Sequence, residues 1–90
     1  MDVQKTQIVG ICLRRARNDA GLTQQELAAE LGRPQSFVSK SETGERCLTA
    51  YELVSYARAL GTTAQQLLGE IEGGLDLWES GSDESGDKAE

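Results

Sequence analysis

The 90-residue chain is predicted to be all-α, a compact five-helix bundle followed by a mostly disordered acidic tail. Three observations predict this. Apolar residues recur at three- and four-residue steps up to about residue 71, and no segment reads as a credible strand. The helix-starting pattern Thr-x-x-Glu or Thr-x-x-Gln occurs at Thr23, Thr49 and Thr63. Glycines at 21, 32, 44 and 61 stand where the periodic runs stop.

The first helix is predicted from about Gln4 to Ala20, because Val9, Leu13, Ala16 and Ala20 share one face. Gly21 supplies its left-handed end. Ile8, Ile11 and Cys12 form a second apolar edge, either another interface or the flank of a broad buried face. Thr23-Gln24-Gln25-Glu26 has the form of a capping box, and Leu22 and Leu27 suit a hydrophobic staple. The second helix then runs to Leu31 and buries Leu27, Ala28 and Leu31. The helix stops at Gly32 and only Arg33 and Pro34 can lie between it and the next one, so the two must cross steeply.

That third helix, from Pro34 or Gln35 to Thr43, has few large apolar residues: Val38 is its anchor, with Phe37 partly covered beside it. Gln35, Ser36, Ser39 and Lys40 occupy the remaining face. A polar face is ordinarily a solvated one. Gln, Ser and Lys without an acid are also groups that read base edges in the major groove, which is about 12 Å wide and admits one helix.

The capping pattern recurs at Thr49 to Glu52, between Leu48 and Leu53, and opens a fourth helix burying Leu53, Tyr56 or Ala57, and Leu60. A weaker box, Thr63 to Gln66, opens a short fifth helix with Leu67, Leu68 and Ile71 on its apolar side. Gly73-Gly74 begins a composition shift, and the small acidic residues beyond cannot offset their own ordering entropy. The domain boundary is therefore predicted at 72/73, with residues 73–90 a flexible tail.

The formal charge of −6 is unevenly divided. Up to Glu72 there are eight basic and nine acidic residues, and beyond it one basic and six acidic. The near-neutral body retains the capacity for a local basic face, and phosphate responds to local potential rather than to the total. Two distant cysteines in no CxxC pattern, and no histidine, predict neither a metal site nor a cofactor. The same lack of histidine, metal cluster and phosphate-cradling glycine loop argues against an enzyme. No long apolar run, secretory start or lipidation motif is seen, so a cytoplasmic protein without membrane contact is expected.

The run LRRARNDAGLTQQELAAELGRPQSFVSKSETGER, followed by LTAYELVSYARALGTTAQQLL, resembles the Cro and phage-repressor type of helix-turn-helix domain, the XRE family. The likeness covers roughly Val9 to Leu68. It rests on Leu-x-x-x-Arg, Gly-Leu-Thr-Gln-x-Glu-Leu-Ala, Leu-Gly, Val-Ser-x-x-Glu-x-Gly and Ala-Leu-Gly in order. The resemblance implies a lambda-repressor-like fold with its third helix in the major groove of double-stranded DNA. Gln35, Ser36, Ser39 and Lys40 would then read bases. Gln24, Phe37 and Arg46 would serve the phosphate backbone, with Arg33 and Arg14 or Arg15 as weaker candidates, and Arg17 and Glu42 would form a structural ion pair.

Two positions depart from the family pattern. Ser41 stands where relatives carry a large apolar or aromatic residue, so the third helix is expected to dock less firmly unless Phe37 compensates. Gln66 occupies an often aromatic position. Family members typically bind as two-fold homodimers, and Leu67, Leu68 and Ile71 are the interface candidates, with a core role as the alternative for Leu67 and Leu68.

In the tail, Leu75, Leu77 and Trp78 form an apolar knot suited to docking a protein partner or to folding back. The expected function is a sequence-specific transcriptional regulator, a repressor occupying an operator. Alternatives are a DNA-binding antitoxin whose tail neutralises a toxin, and a controller of restriction-modification genes.

Overall fold

A computed structural model describes residues 3–86, with side chains from residue 4 to residue 80. Within these limits the chain forms α1 (Val3–Asp19), α2 (Gln24–Leu31), α3 (Gln35–Thr43), α4 (Ala50–Ala59) and α5 (Ala64–Gly86), with no strand among the described residues. The first helix packs against α3 and α5, α2 packs against α3 and α4, and α4 against α5.

The predicted starts of α2 and α4 are both capping boxes. The Thr23 hydroxyl accepts from the Glu26 amide and the Glu26 carboxylate accepts from the Thr23 amide; Thr49 and Glu52 repeat the arrangement. At α5 only half of the box forms. Thr63 accepts from the Gln66 amide, but the Gln66 side chain bonds to Thr62 instead. Pro34 takes the N-cap position of α3, and Gly32, at φ +67°, closes α2 in the left-handed region that a side chain would disfavour.

The core joins Leu13 and Cys12 of α1, Leu27 and Ala28 of α2, Phe37 and Val38 of α3, Tyr56 and Ala57 of α4, and Leu67 and Ile71 of α5. Fully burying a side chain such as Leu13, Leu27 or Val38 contributes about 1.5–3 kcal/mol relative to exposure. Where the α4 pattern left Tyr56 or Ala57 open, the helix buries both. Ala20 is exposed rather than part of the α1 stripe, whereas Cys12 is core, because α1 is covered on two sides. Burial also pushes the Cys12 thiol pKa up, away from the reactive thiolate.

Phe37 is buried rather than partly covered. Ser41 is buried too, its hydroxyl donating to the Phe37 carbonyl at 2.7 Å. Its small size accompanies a close approach of two helices. A Cβ at Gly10 would lie 2.2 Å from the Glu42 carbonyl oxygen and 3.0 Å from that of Ser41. Gly44, at φ +86°, likewise leaves no room for a Cβ beside the backbone of Thr6 and Gln7. The looser docking expected from Ser41 is therefore replaced by direct backbone packing of α3 on α1.

The fifth helix is longer than its capping pattern and apolar side suggest. The fifth helix continues through Gly73-Gly74 to Gly86, so the boundary predicted at 72/73 falls inside an element; residues 87–90 lie outside the described residues. Packing overrides the weak helix propensity of the glycine pair. Gly74 faces α1 so closely that a Cβ would sit 2.6 Å from the Cys12 Sγ, Leu75 packs on the core, and Lys5 pairs with Glu79 at 3.3 Å. What reads as a linker is a helix contact.

Candidate nucleic-acid interface

The outward side of α3 is built by subtraction. Phe37, Val38, Ser41 and Glu42 are buried against the rest of the domain, which leaves Gln35, Ser36 and Lys40 exposed and Ser39 half-buried. No acid stands among these four, and the Ser36, Ser39 and Lys40 side chains have no partner among the described residues. The helix N-terminus of α2 lies beside them. A shallow polar recess there is lined by Arg17, Thr23, Gln24, Gln25 and Gln35.

One buried carboxylate organises this region. Glu42 is 1% exposed. Arg17 donates to it through both Nε, to Oε2, and Nη2, to Oε1 at 3.1 Å. Gln24 Nε2 donates to Oε1 at 2.9 Å and Arg14 Nε approaches the same oxygen at 3.7 Å. Arg17 also donates to the Leu22 carbonyl, tying the end of α1 to the loop before α2. The pair implied by the family resemblance is thus the centre of a four-residue network.

That network dictates an amide orientation. A carboxylate only accepts, so Gln24 must present its Nε2 to Glu42 and its Oε1 elsewhere. The Gln24 Oε1 accepts from Gln35 Nε2 at 3.2 Å, which leaves the Gln35 carbonyl oxygen and one amide hydrogen unused. One acceptor beside one donor is the pairing that an adenine edge requires.

A second carboxylate gathers the other arginines. Glu52 Oε1 and Oε2 each accept from Arg46, through Nη1 and Nη2, both at 2.8 Å, and Oε2 accepts from Arg33 Nη1 at 3.4 Å. The Arg33 and Arg46 guanidiniums lie 4.0 and 4.7 Å from the centroid of the Phe37 ring. Hydrogen bonding from Arg46, then from the Thr49 amide, holds the Glu52 carboxyl at about 2.

The structure places the other expected site residues at different depths. Phe37 is buried, its amide donates to the Pro34 carbonyl, and its ring is the platform under two arginines. Leu67 and Ile71 are core, so of the three interface candidates only Leu68, 52% exposed, is at the surface. The apolar knot is divided: Leu75 packs on the core, Trp78 is half-buried and Leu77 is exposed. Sequence reasoning missed Glu52 beyond its cap, and it missed Gly10. An interior glycine in a helical stripe was the available signal for the latter.

Two helices joined by a three-residue turn, the second showing a polar acid-free face, define a helix-turn-helix domain of the DNA-binding kind. Residues 8–69 match the family described as "Helix-turn-helix domain". The chain belongs to this family and is a transcriptional regulator of the XRE, or Cro and phage-repressor, type.

It is 38% identical over 68 residues to an uncharacterized HTH-type transcriptional regulator, y4dJ, of Sinorhizobium fredii, covering 76% of this chain and 86% of that protein. Among solved structures, it resembles an XRE-family like protein from Pseudomonas syringae (47% identity, TM-score 0.68, 78% of this chain and 85% of that one). It also resembles the clp gene regulator ClgR from Corynebacterium glutamicum (28% identity, TM-score 0.81, 90% and 86%).

Proposed function

We propose that this protein is a sequence-specific repressor that binds a palindromic operator as a homodimer, with α3 in the major groove. The observation that carries the reading is the exposed, acid-free face of Gln35, Ser36 and Lys40, with Ser39 beside it, on a helix whose other side is clamped to the core. A helix about 10–12 Å across fits a groove about 12 Å wide. Gln35, Ser36, Ser39 and Lys40 read base edges. Gln24 and the first-turn amides of α2 meet phosphate, since free amides and the helix dipole there favour an anion. Arg33 and Arg46 meet the backbone on the other side of α3, and Leu68 contributes to the two-fold interface.

Selection of bound duplexes from a labelled random-sequence library tests the reading directly. A palindromic motif with half-sites about one helical turn apart is expected. Equal, weak binding to all sequences would sink it. Lys40→Ala relaxes preference at one base position by about 1–3 kcal/mol if Lys40 reads a base, whereas a phosphate role gives a uniform loss. Leu68→Glu shifts the sedimentation mass from dimer to monomer; an unchanged mass removes Leu68 from the interface.

A further inference from the structure

The arrangement around Glu52 is unusual for a surface said to meet phosphate, because an acid sits between the two arginines that would bind it. By charge alone Glu52 weakens DNA binding. We propose that it does the opposite: Glu52 is a positioning residue that holds Arg46 and Arg33 in a phosphate-ready arrangement flanking the recognition helix. This rests on the reading that the two arginines contact the DNA backbone.

The geometry supports a positioning role in three ways. First, Arg33 comes from the loop before α3 and Arg46 from the loop after it, yet both converge on one carboxylate of α4 and on the Phe37 ring. Two like charges held near one ring repel each other, and the intervening carboxylate offsets that repulsion.

Second, Glu52 is itself anchored. Its Oε1 accepts from the Thr49 amide in the capping box, and its side chain is only 13% exposed, against 35% for Arg46 and 40% for Arg33. The carboxylate is the fixed member and the arginines the ones exposed to solvent.

Third, the donor count leaves capacity. Arg46 gives Glu52 one hydrogen from Nη1 and one from Nη2, and gives the Cys47 carbonyl a second from Nη1 at 3.0 Å. Of its five N–H donors, Nε and one on Nη2 remain, and these form one edge of the guanidinium. That edge suits a bidentate phosphate contact without breaking the bond to Glu52. Arg33 is held by one long bond and keeps most of its donors.

The test is Glu52→Gln measured against a matched control. Glutamine suits the same capping position, so the start of α4 is retained, and melting verifies that the variant is folded. Glu26 holds the equivalent place in the capping box of α2, is exposed, and has no arginine partner among the described residues. Glu26→Gln therefore makes the identical chemical change without the positioning role.

With a labelled duplex of random sequence at fixed salt, Glu26→Gln leaves affinity the same or tighter. Glu52→Gln weakens it roughly 2- to 10-fold for each arginine that loses its anchor, the usual cost of ordering a long side chain on binding. In an Arg33→Ala/Arg46→Ala background Glu52→Gln has no further weakening effect, since it acts through those side chains.

Equal or tighter binding by Glu52→Gln overturns the proposal while leaving the arginine contacts standing, provided Arg46→Ala weakens binding and lowers the salt slope by about one. If Arg46→Ala and Arg33→Ala change neither affinity nor slope, both the proposal and the phosphate reading fall.

Discussion

Glu42 and Glu52 are each a carboxylate that gathers two arginines at the edge of α3, and they differ chiefly in depth. Glu42 is 1% exposed, with Arg17 on two of its bonds, and Gln24 completes the shell from α2. Glu52 stands at the rim, with both arginines substantially exposed. A buried carboxylate deprived of its partners is costly, so Glu42 belongs to the fold and has little freedom to vary. At Glu52 the arginines are the solvated members, so its ion pairs are screened, contribute little stability and chiefly decide where flexible cations sit. The same chemistry clamps a helix in one place and aims side chains in the other.

The sharpest way to break this comparison is to remove each acid. Glu42→Ala is expected to cost about 3–5 kcal/mol, leaving the buried Arg17 charge without its partner, while Glu52→Gln costs about 0–1 kcal/mol. Urea denaturation of the two variants measures the difference. Equal losses would mean that depth does not separate them.

The backbone contact beside Glu42 comes next. Gly10→Ala drives a Cβ into the Glu42 carbonyl and is expected to cost about 1–3 kcal/mol. Gly69→Ala, with nothing within 4 Å of the new Cβ, gains about 0.5–1 kcal/mol. The same substitution in two helices should thus change sign, and thermal melting reads it.

The two capping boxes sharpen the point from the other side. Thr23→Ala and Thr49→Ala should each lower stability by about 1 kcal/mol. Similar losses in denaturation would place the difference between Glu26 and Glu52 in what the carboxylates gather and outside the caps themselves.

The smallest effect is on the pH profile. Glu52 is lowered from an ordinary 4.5 to about 2 in the folded chain. Its contribution is therefore fully present above pH 4.5 and is lost as pH falls from there toward 2. Melting midpoints across that window should fall less steeply in Glu52→Gln than in the parent protein.

The helix starts were legible because capping is local: Thr23 and Thr49 find their acids three residues on, and no distant contact is needed. The polar face of α3 was legible for the same reason, since helical periodicity alone separates Gln35, Ser36 and Lys40 from Val38. Phe37 was harder. Its burial depends on Tyr56, whose ring lies 6.5 Å away from a helix nineteen positions on, and an aromatic on a polar helix carries no mark of which way its neighbours will close.

Residue order by itself determined five helices, four of their starts and the side of α3 that remains polar, because period, cap and turn act over a few residues. Tertiary structure alone decided that Gly74 is a contact of α5 with α1, that Leu67 and Ile71 are core, and that Arg33 and Arg46 meet at Glu52. Those outcomes depend on which helices lie side by side. Burial against a partner and a charge shared across loops are properties of distance in space, which no local pattern encodes.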